Sequence, residues 1–189
     1  MKPHYVLAAA LAATSVLALA AAPEPLPPAW FITGQSPKSY EAGVDQSEGF
    51  KGAKYIRSTT QETNTFGSLM QYISAQNYRG QRVRFRARVR TDNVTGWAGL
   101  WLRIDTPGGD PNHLHFYNSE DKPIKGTTGW QERSVVLDVP TDAKAIAFGV
   151  IDHGLGQVWI DRLALETVGT DVPVDTQQPQ NKLPLTPTL

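Results

Sequence analysis

The stretch that decides the fold is Tyr78–Asp105, which reads YRGQRVRFRARVRTDNVTGWAGLWLRID. In its first half, apolar side chains at positions 83, 85, 87 and 89 alternate with arginines at 84, 86, 88 and 90. In its second half, apolar residues at 98, 100, 102 and 104 alternate with Trp97, Trp101, Arg103 and Asp105 on the other side. Period-two alternation is typical of strands with one buried and one exposed face. We therefore predict two strands, joined over 91–96 by a polar link that either turns as a hairpin or crosses between sheets.

Further apolar runs on both sides of this stretch are separated by turn signals rich in Gly, Pro, Asn and Asp. Additional strands are predicted over 40–45, 53–58, 66–73, 113–117, 130–139, 145–152 and 156–167, and a loop over 119–129. No helix of three turns is predicted after residue 20. About ten short strands at this spacing predict an all-β fold, a two-sheet β-sandwich of the jelly-roll type.

The two ends of the chain differ in composition from its middle. Lys2 precedes a run of Ala, Leu and Val, and Ala18-Leu19-Ala20 has the small-x-small pattern of a signal-peptidase site. We expect residues 1–20 to be a signal peptide and the protein to be secreted or periplasmic. An uncleaved anchor is the alternative, and it is the one membrane contact we expect. Residues 21–29 are predicted to form a Pro-rich leader, 30–168 the β-sandwich domain and 169–189 a disordered tail.

The charge balance and the absence of cysteine exclude several classes of function. The 189 residues carry 18 basic and 18 acidic side chains, so the formal net charge is zero. A polyanion binder needs a basic excess, and we therefore expect no nucleic-acid partner. Without cysteine there is no thiol nucleophile, and the sequence has no G-x-S-x-G motif. We expect a protein that is not an enzyme.

Several short motifs, taken in order, point to a known family. They include Phe66-Gly67, Tyr78-Arg79-Gly80, Val139-Pro140 and the run GQVWIDRLAL at 156–165. The chain resembles the galactose-binding-like jelly rolls, in particular carbohydrate-binding modules of families four and nine, whose last strand commonly has the pattern Gly-x-Val-Trp-x-Asp-x-x-x-Leu. The runs at 97–101 and 122–128 are similar to uncharacterised modules of this type that are fused to bacterial regulators. The resemblance implies the sandwich fold and a glycan or other cell-envelope ligand.

One face of the second predicted strand is a candidate binding surface. Trp97 and Trp101 lie four residues apart, so a strand would place them roughly 13 Å apart on one side. Sugar rings stack on aromatic planes, and Arg103 beside them could hydrogen-bond hydroxyl groups. The alternative is that one or both tryptophans close the end of the core or lie beneath the loop at 119–129.

The arginine row over 82–90 also has two interpretations. Arg86 and Arg88 could add an anion-binding stripe to the tryptophan face. The alternative is an exposed face paired with carboxylates of neighbouring strands, such as Glu132, Asp138 and Glu166, because opposite charges on adjacent strands commonly pair. The zero net charge favours the second interpretation.

Two metal sites are considered. Galactose-binding-like domains often hold a structural calcium, and the resemblance places Asp161 at the matching position, with Asp45 and Glu41 as further oxygen donors. This calcium is the one cofactor we consider. Separately, the spacing of His113, His115 and Glu120 looks like the first metal motif of the cupins. A third histidine would be required, and His153 is the candidate, but the second cupin motif is absent.

These observations leave three functional hypotheses open. The first is an exported, non-catalytic module that binds a carbohydrate or other cell-envelope ligand. The second is a structural or protein-interaction module of the envelope with no small ligand. The third is a cupin-like metal enzyme that uses His113, His115 and Glu120.

Overall fold

The structure of the protein is a computed structural model that describes residues 24–109 and 115–176. The strands are β1 Phe31–Gly34, β2 Tyr40–Val44, β3 Lys54–Ser58, β4 Phe66–Ser74, β5 Arg82–Asp105, β6 Phe116–Asn118, β7 Ile124–Asp138, β8 Ala145–His153 and β9 Gln157–Val168. The helical elements within these ranges are three single-turn 3-10 helices, at Pro37–Ser39, Gln76–Tyr78 and Ser119–Asp121. The predicted all-β class is confirmed.

Strand β5 belongs to two layers. Its first half pairs with β9 and β7, and its second half pairs with β8 and β6. The neighbour order β1-β4-β8-β5-β9-β3-β2 therefore divides at β5. One layer contains β1, β4, β8, β6 and the second half of β5. The other contains β2, β3, β9, β7 and the first half. The predicted two-sheet sandwich is confirmed.

The core lies between the two layers, on the faces that the alternation predicted. The apolar residues of both halves of β5 are fully buried in one cluster: Val83, Phe85, Ala87, Val89, Ala98, Leu100, Leu102 and Ile104. The rings of Phe85 and Phe148 come from different layers and their centroids are 4.8 Å apart. Because the inner faces contact each other, Trp101 and the arginine row lie on opposite outer faces of the sandwich.

The polar link between the two predicted strands crosses between the layers without ending the strand. The pairing of β5 with β7 shifts register between Val89 and Ala98, and Asn93 has a φ of 53°. Such irregularities are typical of β-bulges, which bend a strand and keep it paired. This part of β5 also pairs with Ile124 and Gly126. For this reason β7 begins inside 119–129, where the sequence predicted a loop.

Segments outside the predicted domain also contact it. Glu24 forms a two-bond bridge with Val44, so part of the predicted leader is attached to β2. At the other end, Asp175 exchanges backbone and side-chain hydrogen bonds with Val136, and Arg82 donates to the carbonyl of Val172. These contacts order the first residues of a segment that the sequence predicted to be disordered, because they attach its backbone to β7 and to Arg82 of β5.

The predicted signal peptide and the tail beyond residue 176 lie outside the described residues. Among the residues that the structure describes, no helix has the length and apolar character needed to span a membrane.

Candidate ligand-binding groove

A groove of about 390 Å³ lies on the outer face of the layer formed by β1, β4, β8, β5 and β6. Each strand contributes the side chains that point away from the core, and the lining residues are Thr33, Gly34, Phe66, Ser68, Trp101, Arg103, Phe116, Asn118 and Ile151. Three aromatic rings and several polar groups therefore share one concave surface.

Trp101 is a fixed part of this groove and does not belong to the core. Its indole Nε1–H donates to Ser68 Oγ at 2.7 Å, and Ser68 Oγ donates to the carbonyl of Val150 at 3.2 Å. The indole is only 6% exposed because it packs with Met70 and Ile151 in a small cluster separate from the main core. The Phe116 ring lies 6.5 Å from it, tilted by 51°. Trp101 thus exposes little surface to a ligand and mainly supports the residues that line the groove.

More exposed aromatic rings flank the middle of the layer. Phe31 is 44% exposed and Tyr72 is 49% exposed. The register places Phe31 opposite Met70 and Tyr72 opposite Ala147, which is in turn opposite Arg103. Paired residues of antiparallel strands point to the same face, so both rings belong to the groove side. They are accessible for stacking, unlike Trp101.

A polar cluster of Tyr72, Arg103 and Asp105 lies next to the groove. The Tyr72 hydroxyl donates to Asp105 Oδ2 at 2.7 Å, and Arg103 donates to both oxygens of Asp105, at 2.7 and 3.1 Å. Burial alone would raise the pKa of Asp105, but the hydrogen bonds from Arg103 and Tyr72 outweigh it and lower the pKa. Asp105 therefore stays ionised at neutral pH and orients the other two side chains.

The predicted binding residues are only partly brought together. Trp97 lies on the same face as Trp101 and Arg103, and its ring stacks on His153 at 6.1 Å, beyond the lining of the groove. Arg86 and Arg88 lie on the opposite outer face of the sandwich, because the first half of β5 belongs to the other layer. The prediction that they join the tryptophan face is wrong.

The arginine row pairs with its neighbours as the alternative interpretation expected. Glu166 accepts from Arg84 and Arg86, Asp138 from Arg82, and Glu132 lies 4.0 Å from Arg88. The Arg88 guanidinium also lies over the Trp130 ring. Most of the row is therefore neutralised within the protein.

The three residues predicted to bind calcium have other partners. Glu41 pairs with Arg57, and Asp45 accepts from Ser47 and from the indole of Trp159. These hydrogen bonds outweigh burial and lower the pKa of Asp45. Asp161 lies 3.9 Å from Arg162. Among the described residues, no three acidic or histidine side chains are grouped as a metal site would require, and the structural calcium stays a prediction.

The cupin-like arrangement is not assembled. His113 lies outside the described residues. The backbone of His115 accepts from Ile104, whereas His153 is paired with Trp97. These two positions on β5 are seven residues apart, so the histidines are separated by roughly 23 Å along the strand. Glu120 is exposed and lies in the 3-10 helix Ser119–Asp121. The proposed third ligand, His153, cannot join the other residues.

Several residues of the groove face were not identified from the sequence: Phe66, Phe116 and Asn118 line the groove, and Phe31 and Tyr72 lie beside it. Their signal was present in part, since the positions 66, 68, 70 and 72 alternate with the core residue Leu69. The identity of the neighbouring strands, however, depends on strand order, which an alternating sequence pattern does not reveal.

No family model matches the chain. The chain is 37% identical over 147 residues to a Bacillus subtilis (strain 168) protein named uncharacterized HTH-type transcriptional regulator YbfP. The match covers 76% of this chain and 49% of the regulator, so the chain spans about half the length of this curated relative. This agrees loosely with the predicted resemblance to modules fused to bacterial regulators.

Three solved structures have related folds at low sequence identity. The family 22 carbohydrate-binding module and catalytic module of Clostridium thermocellum xylanase 10B, complexed with xylohexaose, match with a TM-score of 0.54 and 11% identity, over 78% of this chain and 28% of that one. The C-terminal family 22 module of the same enzyme matches with a TM-score of 0.50 and 13% identity, over 77% and 89%. A putative sugar binding protein from Bacteroides thetaiotaomicron matches with a TM-score of 0.51 and 13% identity, over 74% and 87%.

The narrower assignment to families four and nine is not confirmed by these matches. What they establish is the architecture: the chain has the β-sandwich fold found in carbohydrate-binding modules.

Proposed function

We propose that the protein is a non-catalytic module that binds a carbohydrate in the groove lined by Trp101, Phe116 and Arg103. The observation that carries the proposal is the joint presence of exposed aromatic rings and an ordered polar cluster on the outer face that holds the groove. Sugar rings present apolar C–H faces that stack on aromatic planes, and their hydroxyls need paired donors and acceptors. The related fold of carbohydrate-binding modules supports this proposal.

Different residues of the groove face would have different roles in binding. Phe116 supplies stacking area inside the groove, and Phe31 and Tyr72 supply it beside the groove on the same outer face, because each ring is at least partly exposed. Arg103 and Asp105 supply a donor and an acceptor whose orientation is already set by their mutual hydrogen bonds. Since these side chains are preorganised, binding would cost little side-chain entropy. Trp101 would act mainly as the rigid support beneath them.

The test is affinity measurement against a panel of neutral and acidic oligosaccharides, with Arg103→Ala and Tyr72→Ala beside the wild type. The matched control is Arg57→Ala, since Arg57 is similarly exposed and similarly paired with a carboxylate, but lies on the other layer. We expect one glycan class to bind the wild type and the control equally, and to bind Arg103→Ala and Tyr72→Ala at least about tenfold more weakly.

Binding that Arg103→Ala and Tyr72→Ala leave unchanged would place the glycan elsewhere and contradict the proposal. If no glycan binds the wild type, the carbohydrate proposal fails. The hypothesis of a structural or protein-interaction module of the cell envelope, with no small ligand, then becomes the working one.

A further inference from the structure

A buried carboxylate that the groove does not use lies at the end of β8. Asp152 is 0% exposed, and neither of its carboxylate oxygens has a hydrogen-bond partner in the protein. It points towards the core side of the sheet, between Gly67 of β4 and Ala98 of β5. These two neighbours have the smallest side chains, and neither offers the carboxylate a polar partner. A buried charge without a partner is strongly unfavourable.

A second unpartnered oxygen lies on the same part of the sheet. The Thr65 hydroxyl is buried and has no hydrogen-bond partner, although its backbone carbonyl accepts from the Gly154 amide at 2.8 Å. That bond extends the β4–β8 ladder by one step, so Thr65 is a diagonal neighbour of Asp152. Diagonal neighbours in an antiparallel pair have Cα atoms roughly 7–8 Å apart. The two groups are therefore near each other but not hydrogen-bonded to each other.

The surroundings of this pair are rigid and rich in oxygen atoms. The Tyr40 hydroxyl oxygen lies 3.1 Å from the carbonyl oxygen of Thr65 and 2.9 Å from that of Gly154, and its single proton is donated to one of them at a time. Its ring covers Gly67, where a Cβ atom would come within 2.5 Å of it. Tyr40 thus closes the site from the core. Of the titratable groups packed here, Tyr40 is uncharged at neutral pH, because burial raises its pKa to about 12. His153 turns its ring to the other face, against Trp97.

Protonation would remove the charge, but neither oxygen of this carboxyl group has a hydrogen-bond partner in the protein. A cation would satisfy both oxygens of Asp152 and the Thr65 hydroxyl together. The charge of the site determines whether a monovalent or a divalent cation fits. One buried carboxylate neutralises one positive charge, and a divalent ion would leave an uncompensated charge in the core.

We propose that Asp152 and Thr65 bind a single monovalent alkali cation, sodium or potassium, at the end of β8. The ion joins β4 to β8 at the point where the chain leaves the layer. This site is separate from the groove and from the positions at which calcium was predicted, and it does not depend on the glycan proposal.

The experiment measures the thermal midpoint of the full chain at about pH 8 in sodium, potassium or N-methylglucamine chloride of equal ionic strength. We expect sodium or potassium to raise the midpoint of the wild type above its value with the organic cation. Asp152→Asn and Thr65→Val should lose this difference. Thr91→Val is the control, because Thr91 is an equally buried threonine in another part of the sheet. It should be less stable and keep the ion dependence.

Equal midpoints in all three salts would overturn the proposal, and so would an ion preference that persists in Asp152→Asn. Stabilisation by calcium chloride at matched ionic strength, without a response to the monovalent ions, would show that the charge argument is wrong. If Asp152→Asn does not fold, sodium-23 relaxation with the wild type and Thr65→Val decides, since a bound ion broadens the signal only where the site is intact.

Discussion

At the residue scale, the most informative side chains are polar groups whose partners are set by strand pairing. Arg103, Asp105 and Tyr72 come from β5 and β4, with β8 between them, and they form one ordered cluster. Asp152 lies in the same layer and has no partner. The first arrangement satisfies its charges inside the protein, and the second does not. This contrast explains why the pKa of Asp105 is lowered and that of Asp152 is raised.

Asp152 predicts a pH dependence of stability. Burial raises its pKa from 3.8 to about 7. Because the folded state holds the proton more tightly than the unfolded chain, this group stabilises the fold below about pH 4 and loses that contribution as the pH rises towards 7. In N-methylglucamine chloride, we expect the free energy of unfolding to fall across this window by up to roughly 4 kcal/mol. Urea denaturation at a series of pH values measures it.

Asp152→Asn is the matched variant for that measurement, because it keeps the shape and removes the titration. Its free energy of unfolding should change much less between pH 4 and 7 than that of the wild type. A variant with the same slope as the wild type would assign the pH dependence to other groups.

At the element scale, the layer that carries the groove depends on close contact between β4 and β8. Gly149 lies between Met70 and Trp101, and a Cβ atom there would come 2.1 Å from the carbonyl oxygen of Leu69. That atom belongs to the backbone and cannot rotate away. The glycine is therefore required by the approach of two strands, directly beneath the groove.

Gly149→Ala is predicted to separate β4 from β8 locally and to lower the free energy of unfolding by at least about 2 kcal/mol. It should also weaken glycan binding, since Trp101 and Met70 rest on this position. Gly129→Ala is the control, because a Cβ atom at Gly129 meets nothing within 4 Å. Chemical denaturation of both variants gives the comparison, and equal losses would contradict the assigned role of Gly149.

The sequence predicted the faces of the strands better than their neighbours. Alternation identified the buried side of both halves of β5, and those residues are all in the core. Alternation also made Arg86 and Trp101 look like parts of one surface, because both point away from the core. Two outward-pointing residues of β5 share a surface only if the two halves of the strand belong to the same layer. The bulges near Asn93 place the two halves in different layers. Long-range pairing of this kind is not a local property of the sequence.

At the scale of the whole molecule, the two outer faces differ in chemistry. The groove face carries exposed aromatic rings and one oriented charge pair, whereas the opposite face carries a row of paired arginines. The segment at 170–175 lies across the second face and supplies Asp175, which contacts Val136 and Lys122. The chain after β9 is thus part of the folded unit.

Asp175→Ala is predicted to lower the free energy of unfolding by about 1–2 kcal/mol, because the amide of Val136 loses its acceptor. Asp171→Ala, an exposed carboxylate of the same segment, should have a smaller effect. Thermal denaturation of the two variants tests this. Similar values for both would mean that the segment contributes little to the fold.

The export of the chain remains a prediction from residues 1–20. If they are a signal peptide, the protein recovered from outside the cytoplasm should begin at Ala21, and N-terminal sequencing would show it. A protein that retains Met1 or Lys2 would contradict cleavage.

Because β5 contributes its two halves to different layers, the two layers cannot be separated without cutting this strand. A polypeptide cut near Asn93 would leave each fragment with an open hydrophobic surface that only the other can cover. Neither piece should be soluble by itself, and the pair should reassemble when co-expressed. A chain divided at this point would therefore serve as a split reporter, which gives a signal only when the two fragments associate.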